Sequence, residues 1–477
     1  MRKGFLIVLM MALVAAMAVP AMAGTELGGF YRAKGYVSNY KNYTTGNYVN
    51  PTPADNATTH SYVEQRLRLK FSLGEENVKG VLFLEQDMMW GDSSGQISRN
   101  GGGAIQGDSI NLEAKNAYLW FKVPDTSVDF TVGLQSVTDP YRGTFMGGAD
   151  MSGVLSTFKF EPLTFRVGGF TPWERDTNQA DDSLIFIAEA KITPMKDLGI
   201  GLNFYFLRDG ADSLGTASGE TSTANNLAQQ FLGGVQVVPG VSKIYMPGLN
   251  FNVNVGPAMI SGFGFMQFGD RVYDNGAPKT KFSGWAADLR VDANAGPAKV
   301  FLEGLYTSGD KPGTTDKIEG VVVAEDFKFA SSSSNPTSFD MTILAPSADE
   351  INTSRNLMYT SNNNRANGGY AMNGVRLGAT FIAAGASMKV SDKVTTKLGV
   401  GYLRANELAP VALNGTNLNV SKDMGTEVNA YVNYNITKGL DFGLYGAYAW
   451  LGDGYKVSGS PDPDDLYDAH FRLNYAF

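Results

Sequence analysis

The chain repeats one pattern from end to end: segments of about 10 residues in which every second position is apolar, long enough to cross a bilayer's hydrocarbon as a tilted strand. The clearest is VEQRLRLKFSL, residues 63 to 73. Val63, Leu67, Leu69, Phe71 and Leu73 share one face, interrupted only by Gln65, while Glu64, Arg66, Arg68, Lys70 and Ser72 share the other. One such strand fits a soluble sandwich as well as a membrane barrel, because either has an apolar face and a polar face. Recurrence separates the two. The same alternation returns at 128–134, 163–167, 198–206, 285–291, 394–402, 428–436 and 440–450, in segments longer than the usual soluble strand.

The connections alternate in length. Short ones fall at 74–77, 124–127, 161–162, 193–197, 256–257, 296–297, 391–393 and 437–439. Long ones lie between them, near 39–60, 91–109, 138–150, 174–183, 209–244, 269–281, 309–370, 406–423 and 452–464. Tight turns at one rim and long loops at the other are the mark of a transmembrane barrel. Eight short and nine long connections make 18 strands, with both termini on the short-turn side. The expectation is an all-β, antiparallel up-and-down transmembrane β-barrel of about 18 strands; sixteen is the alternative, depending on whether 229–241 is loop. Trp90, Trp173, Trp285 and Trp450 fall at the long-loop ends of their strands, where an aromatic girdle meets lipid headgroups.

At the start, Arg2 and Lys3, the apolar run Phe5 to Val19 and Ala21-Met22-Ala23 have the layout of a secretory signal cleaved before Gly24. Residues 1–23 are therefore expected to be a signal peptide and 24–477 a single barrel domain. Without Arg2 and Lys3 the formal charge of -8 becomes -10, which argues against a nucleic-acid partner. Cysteine is absent, so disulfides, thiolate metal sites and thioether haem attachment are excluded.

The chain closes on HFRLNYAF, residues 470 to 477, with Phe471, Leu473, Tyr475 and Phe477 on one parity. In this it resembles bacterial outer-membrane β-barrel porins, whose terminal strand carries a closing phenylalanine preceded by apolar or aromatic residues at alternate positions. KNAYLWFKVP, FTVGLQSVTDPYRG and GLYTSGD look like pieces of the larger proteobacterial porins and alginate-export-type channels, and the whole resembles outer-membrane channel proteins of metal-reducing Geobacter-like bacteria. The resemblance implies short periplasmic turns and long extracellular loops. It also implies outer-membrane lipid and lipopolysaccharide as surroundings, barrel-assembly machinery reading Phe471, Leu473, Tyr475 and Phe477, and a water-filled channel for ions and small hydrophilic solutes. A homo-oligomer stays open.

In a membrane barrel the charged parity faces the lumen, since Arg or Lys facing lipid at the midplane costs about 2 to 4 kcal/mol. Arg66, Arg68, Lys70, Lys115, Arg166, Asp288, Arg290 and Glu427 are the pore-lining candidates. Arg66, Arg68 and Lys70 form a ladder at roughly 7 Å intervals that would bias anion transit. Two loops are candidates for narrowing the channel. One is 136–153, with Asp139, Arg142 and Asp150; the other is 309–370, whose apolar patches at Val321 to Ala324 and Met341 to Ala345 are expected to pack into the barrel mouth.

Other classes find little support. The histidines are His60, beside Ser61, and His470, and no Gly-x-Ser-x-Gly elbow accompanies them, so no catalytic constellation is expected. SPDPDD at 460–465 lacks the spacing of a known calcium loop. No cofactor is expected. A barrel sheathing an electron-transfer or export partner is the alternative to a porin, and an outer-membrane hydrolase is the weaker rival.

Overall fold

The computed structural model describes residues 24–39, 59–92, 103–105, 112–174, 182–210, 240–311, 314, 316–323, 341, 343–344, 378–408, 421–455 and 464–477. The expected signal peptide, Arg2 and Lys3 included, lies outside them, as do 460–463 and most of 309–370. The strands are β1 (Gly24–Ser38), β2 (His60–Glu75), β3 (Val78–Met89), β4 (Glu113–Lys122), β5 (Val128–Thr138), β6 (Gly147–Phe160), β7 (Leu163–Trp173), β8 (Ser183–Met195), β9 (Leu198–Asp209) and β10 (Gly240–Val255). They continue with β11 (Ala258–Met266), β12 (Phe268–Tyr273), β13 (Thr280–Phe282), β14 (Trp285–Ala295), β15 (Ala298–Thr307), β16 (Lys317–Ile318), β17 (Ala379–Lys389), β18 (Val394–Ala405), β19 (Asp423–Thr437), β20 (Leu440–Leu451) and β21 (Leu466–Ala476).

β10 pairs with both β11 and β12, which are therefore two halves of one barrel strand, broken at Gln267. β13 and β14 form another, since they face β12 and β11 respectively. With β16 standing outside the ring, the wall is a closed antiparallel barrel of 18 strands. Closure comes from β21 lying against β1, with Phe30 opposite Ala476 and Ser38 opposite Asp468. Phe477 completes the seam by exchanging backbone hydrogen bonds with Gly29 at 3.0 and 3.1 Å. No strand edge is left for lipid to meet, the condition a β-structure must satisfy inside a bilayer.

The short connections are tight hairpins. Gly256-Pro257 and Gly296-Pro297 turn their hairpins with glycine φ of 60° and 62°, the left-handed first position a primed turn requires, and proline supplies the second. Some boundaries differ from expectation. β10 begins at Gly240, four residues before the anticipated end of its loop, and β12 and β13 carry their hairpin beyond the expected rim at 269.

The outward parity is apolar and bare. Leu202, Leu302, Leu398 and Leu444 are 63, 56, 65 and 54 % exposed, values that a soluble core would never allow and lipid accounts for. Trp90, Trp285 and Trp450 face outward near the long-loop rim, and Trp285 stacks on Tyr306 at 4.5 Å. The side chain of Trp173 lies outside the described residues. Phe471, Tyr475 and Phe477 share this outward face, and Leu473 lies on the same parity.

Candidate functional site

The interior is not the uniformly polar wall that alternation implies. From β7 to β11, and again from β14 to β21, inward positions near the long-loop rim are apolar, and two segments of the chain fold into the lumen to cover them.

The first segment is 139–146, between β5 and β6. Tyr141 packs against Tyr205, Phe263 and Phe265 at centroid distances of 5.8, 5.4 and 5.0 Å, and Phe145 stacks on Tyr205 at 5.6 Å. Asp139 organises the turn. Its Oδ1 accepts the N–H groups of Tyr141 and Gly143 at 2.8 and 2.9 Å, and its Oδ2 those of Phe145 and Met146 at 2.7 and 2.6 Å. Burial pushes its carboxyl up to about 6, and the four amides, which favour the ionised form, pull the other way. Arg142, at φ 56°, carries the tip across the lumen: Nε reaches Asp288 Oδ1 at 2.9 Å and Glu303 Oε1 at 3.3 Å, and Nη2 donates to Ser261 at 2.8 Å. Arg290 completes the cluster against Glu303 and Asp292, both at 2.7 Å, with its guanidinium 4.2 Å from the Phe301 ring.

The second segment is the described part of 309–370. Ile318, Val321, Val322, Val323, Met341, Ile343 and Leu344 are all buried, packed among inward residues such as Phe282, Leu305, Phe381 and Leu403. Two wall side chains act as a substitute sheet edge for its backbone. Gln267, the residue between β11 and β12, accepts from Val322 N at 2.8 Å and donates to Val322 O at 2.7 Å. Glu427 Oε2 accepts from Ile343 N and Leu344 N at 3.0 and 2.7 Å.

These contacts correct several expectations. Glu427 is fully buried beneath the long loop, and Asp288 is buried beneath Arg142, so neither lies on an open pore wall. The short segment is 139–146 rather than 136–153. Asp150 belongs to β6 instead, with Ala149 and Met151 turning inward on either side of it. It binds Lys115 Nζ at 2.6 Å and Asn116 at 2.8 Å, and Lys115 is the extra residue at an irregularity of the β3–β4 ladder. Asp150 is therefore a strand residue and not part of the inward segment.

On β2 the two arginines are buried and neutralised. Arg66 forms a two-bond pair with Asp87 at 2.7 Å, and Arg68 binds Glu85. Lys70 is exposed and faces a cavity of about 490 Å³ over β1 to β6, lined also by Phe83, Tyr118 and Trp120. Arg166 pairs with Glu189 at 3.1 Å. His470 is hydrogen-bonded to Asp468 at 2.7 Å and lies between the rings of Tyr445 and Tyr36; the His60 side chain is outside the described residues. Sequence reasoning missed Gln267 and Asp87. A glutamine between two apolar half-strands was the available signal for the first, and the acidic residues of β3 for the last.

No protein-family model matches the chain, and no curated protein matches it. Solved structures do. The outer membrane protein opdK from Pseudomonas aeruginosa aligns over 95 % of this chain and 98 % of its own, with TM-score 0.52 and 10 % identity. OccK9 (OpdG) of the same organism gives 0.53 at 10 % identity and the same coverage. A BenF-like porin from Pseudomonas fluorescens Pf-5 gives 0.51, again at 10 % and the same coverage. At that identity the likeness is one of architecture, and the architecture is the 18-stranded barrel of outer-membrane porins.

Proposed function

We propose that the protein is an outer-membrane channel for passive diffusion of ions and small hydrophilic solutes, narrowed by 139–146 and by the inward part of 309–370. The observation that carries this reading is the closed 18-stranded ladder with an apolar outward face and charges turned inward, since a barrel of 16 to 18 strands encloses an aqueous channel unless something narrows it. The fold is one of channels, and we assign it no catalysis: Asp468 and the flanking rings already hold His470. The chain's own two segments occupy lumen that a threaded partner would need, which favours a channel over a sheath. Refolded protein in a planar bilayer should give discrete conductance steps. A folded, inserted barrel without steps would overturn the proposal.

A further inference from the structure

The outer surface carries a charged row that the channel reading leaves unused. On β9, β10 and β12, Phe206, Tyr245 and Phe268 face lipid and stack side by side, with centroids 5.0 and 5.5 Å apart. Such a row marks the level where hydrocarbon gives way to headgroups. Two residues nearer the long-loop rim, on the same outward parity, stand Arg208, Lys243 and Asp270, with Lys243 directly opposite both Arg208 and Asp270. The row continues through Lys281, opposite Asp270, and Lys317, opposite Lys281. Phe282 and Ile318, the next residues of those two strands, are buried inward, so Lys281 and Lys317 point out.

Lys243, Lys281 and Lys317 are exposed, and their side chains make no ion pair among the described residues. Lys279 adds a cation and holds Asp270 at 3.0 Å. Asp316 is exposed beside Lys317, and Glu319, two residues on, is held by Lys311 at 3.3 Å. Arg208 against Lys243, and Lys281 against Lys317, are like-charge neighbours, an arrangement that destabilises a sheet unless an anion lies over it. By contrast, the outward Arg404 on β18 faces a carboxylate, Asp423.

We propose that this row is a binding site for the phosphates of lipid A in the outer leaflet, with the acyl chains lying down the Phe206, Tyr245 and Phe268 face. The row sets Arg208 beside Lys243 and Lys281 beside Lys317, one strand spacing apart within each pair and with Asp270 between the pairs, just above the aromatic level, where such phosphates lie. Cations beside an anionic membrane surface contribute about fivefold each in affinity.

The test uses detergent-solubilised full-length barrel and diphosphoryl lipid A, with bound lipid counted by native mass spectrometry. Lys243→Gln, Lys281→Gln and Lys317→Gln together should weaken lipid A binding by about 100-fold, while heat-modifiable gel mobility and channel conductance stay as in wild type. Unchanged conductance separates this site from the channel itself. Wild-type binding should also fall when lipid A is dephosphorylated. Equal lipid A on variant and wild type, equal binding of the dephosphorylated form, or equally tight binding of phosphatidylglycerol would each overturn the assignment.

Discussion

The two inward segments solve one problem by different means. Each must bury apolar side chains against the wall and leave no backbone N–H without a partner in a narrow lumen. The short segment is organised from within, by Asp139 gathering four of its own amides, and is then pinned at its tip by Arg142. The long segment is organised from outside. Gln267 and Glu427 belong to the wall and hold its backbone, and its seven buried apolar residues contribute on the order of 10 kcal/mol by removal from water. A self-supporting turn can be short; a segment held by the wall needs length to reach its holders.

The largest expected effect is on the short segment. In Asp139→Asn the side chain keeps one acceptor oxygen and turns an NH₂ toward two N–H groups, leaving at least two buried donors unpaired at about 1 to 3 kcal/mol each. Hydrogen exchange at Tyr141, Gly143, Phe145 and Met146 should rise by two orders of magnitude or more, at about 1.4 kcal/mol per tenfold, and single-channel conductance should increase. Exchange as slow as in wild type would show that apolar packing alone holds the turn, which would make the two segments alike.

Much of this was legible in sequence, and the failures share a cause. Alternation located the strands, the short turns and the outward face, because lipid favours apolar residues at the outward positions of a crossing strand, above all at mid-membrane depth. It assumed a polar inward parity everywhere, and that holds for Glu64, Arg66 and Arg68 on β2 but not for Ile185, Ile187, Tyr205 or Phe381. LIFIA in β8 and FYFL in β9 are apolar on both parities. Strands covered on both faces read as continuous apolar runs, here with lipid outside and an inward segment inside. Those runs were the sign that Tyr141 and Phe145 had somewhere to pack. Glu427 and Asp288 look like any inward carboxylate in sequence, and only the segments lying over them change their role. The irregularity at Lys115 in the β3–β4 ladder could not be read either, because an extra strand residue leaves no mark in the spacing of residues.

A smaller effect is expected from Glu427→Ala. It orphans the N–H groups of Ile343 and Leu344, at about 2 to 4 kcal/mol in total, while the apolar contacts remain. Exchange at these two amides should rise, Asp139-bound amides should be unaffected, and conductance should gain less than in Asp139→Asn. A rise at both sets of amides would mean that the segments form one cooperative plug instead of two independent ones.

The smallest effect is expected from a variant that touches neither segment. Lys70 stands exposed on β2, whereas Arg66 and Arg68 beside it are neutralised by Asp87 and Glu85, so of the three rungs it alone presents an uncompensated charge among the described residues. An exposed charge interacts weakly with a passing ion, at about 0.2 to 1 kcal/mol. Lys70→Gln should therefore lower the anion-to-cation permeability ratio by about twofold, the size of such an interaction. The change should fade in 1 M salt, where the screening length shrinks to about 3 Å. Measured reversal potentials across a salt gradient decide it. If this exposed lysine shifts selectivity as strongly as the loss of Asp139 raises conductance, the wall rather than either inward segment governs passage, and the difference between the two segments would concern their folding alone.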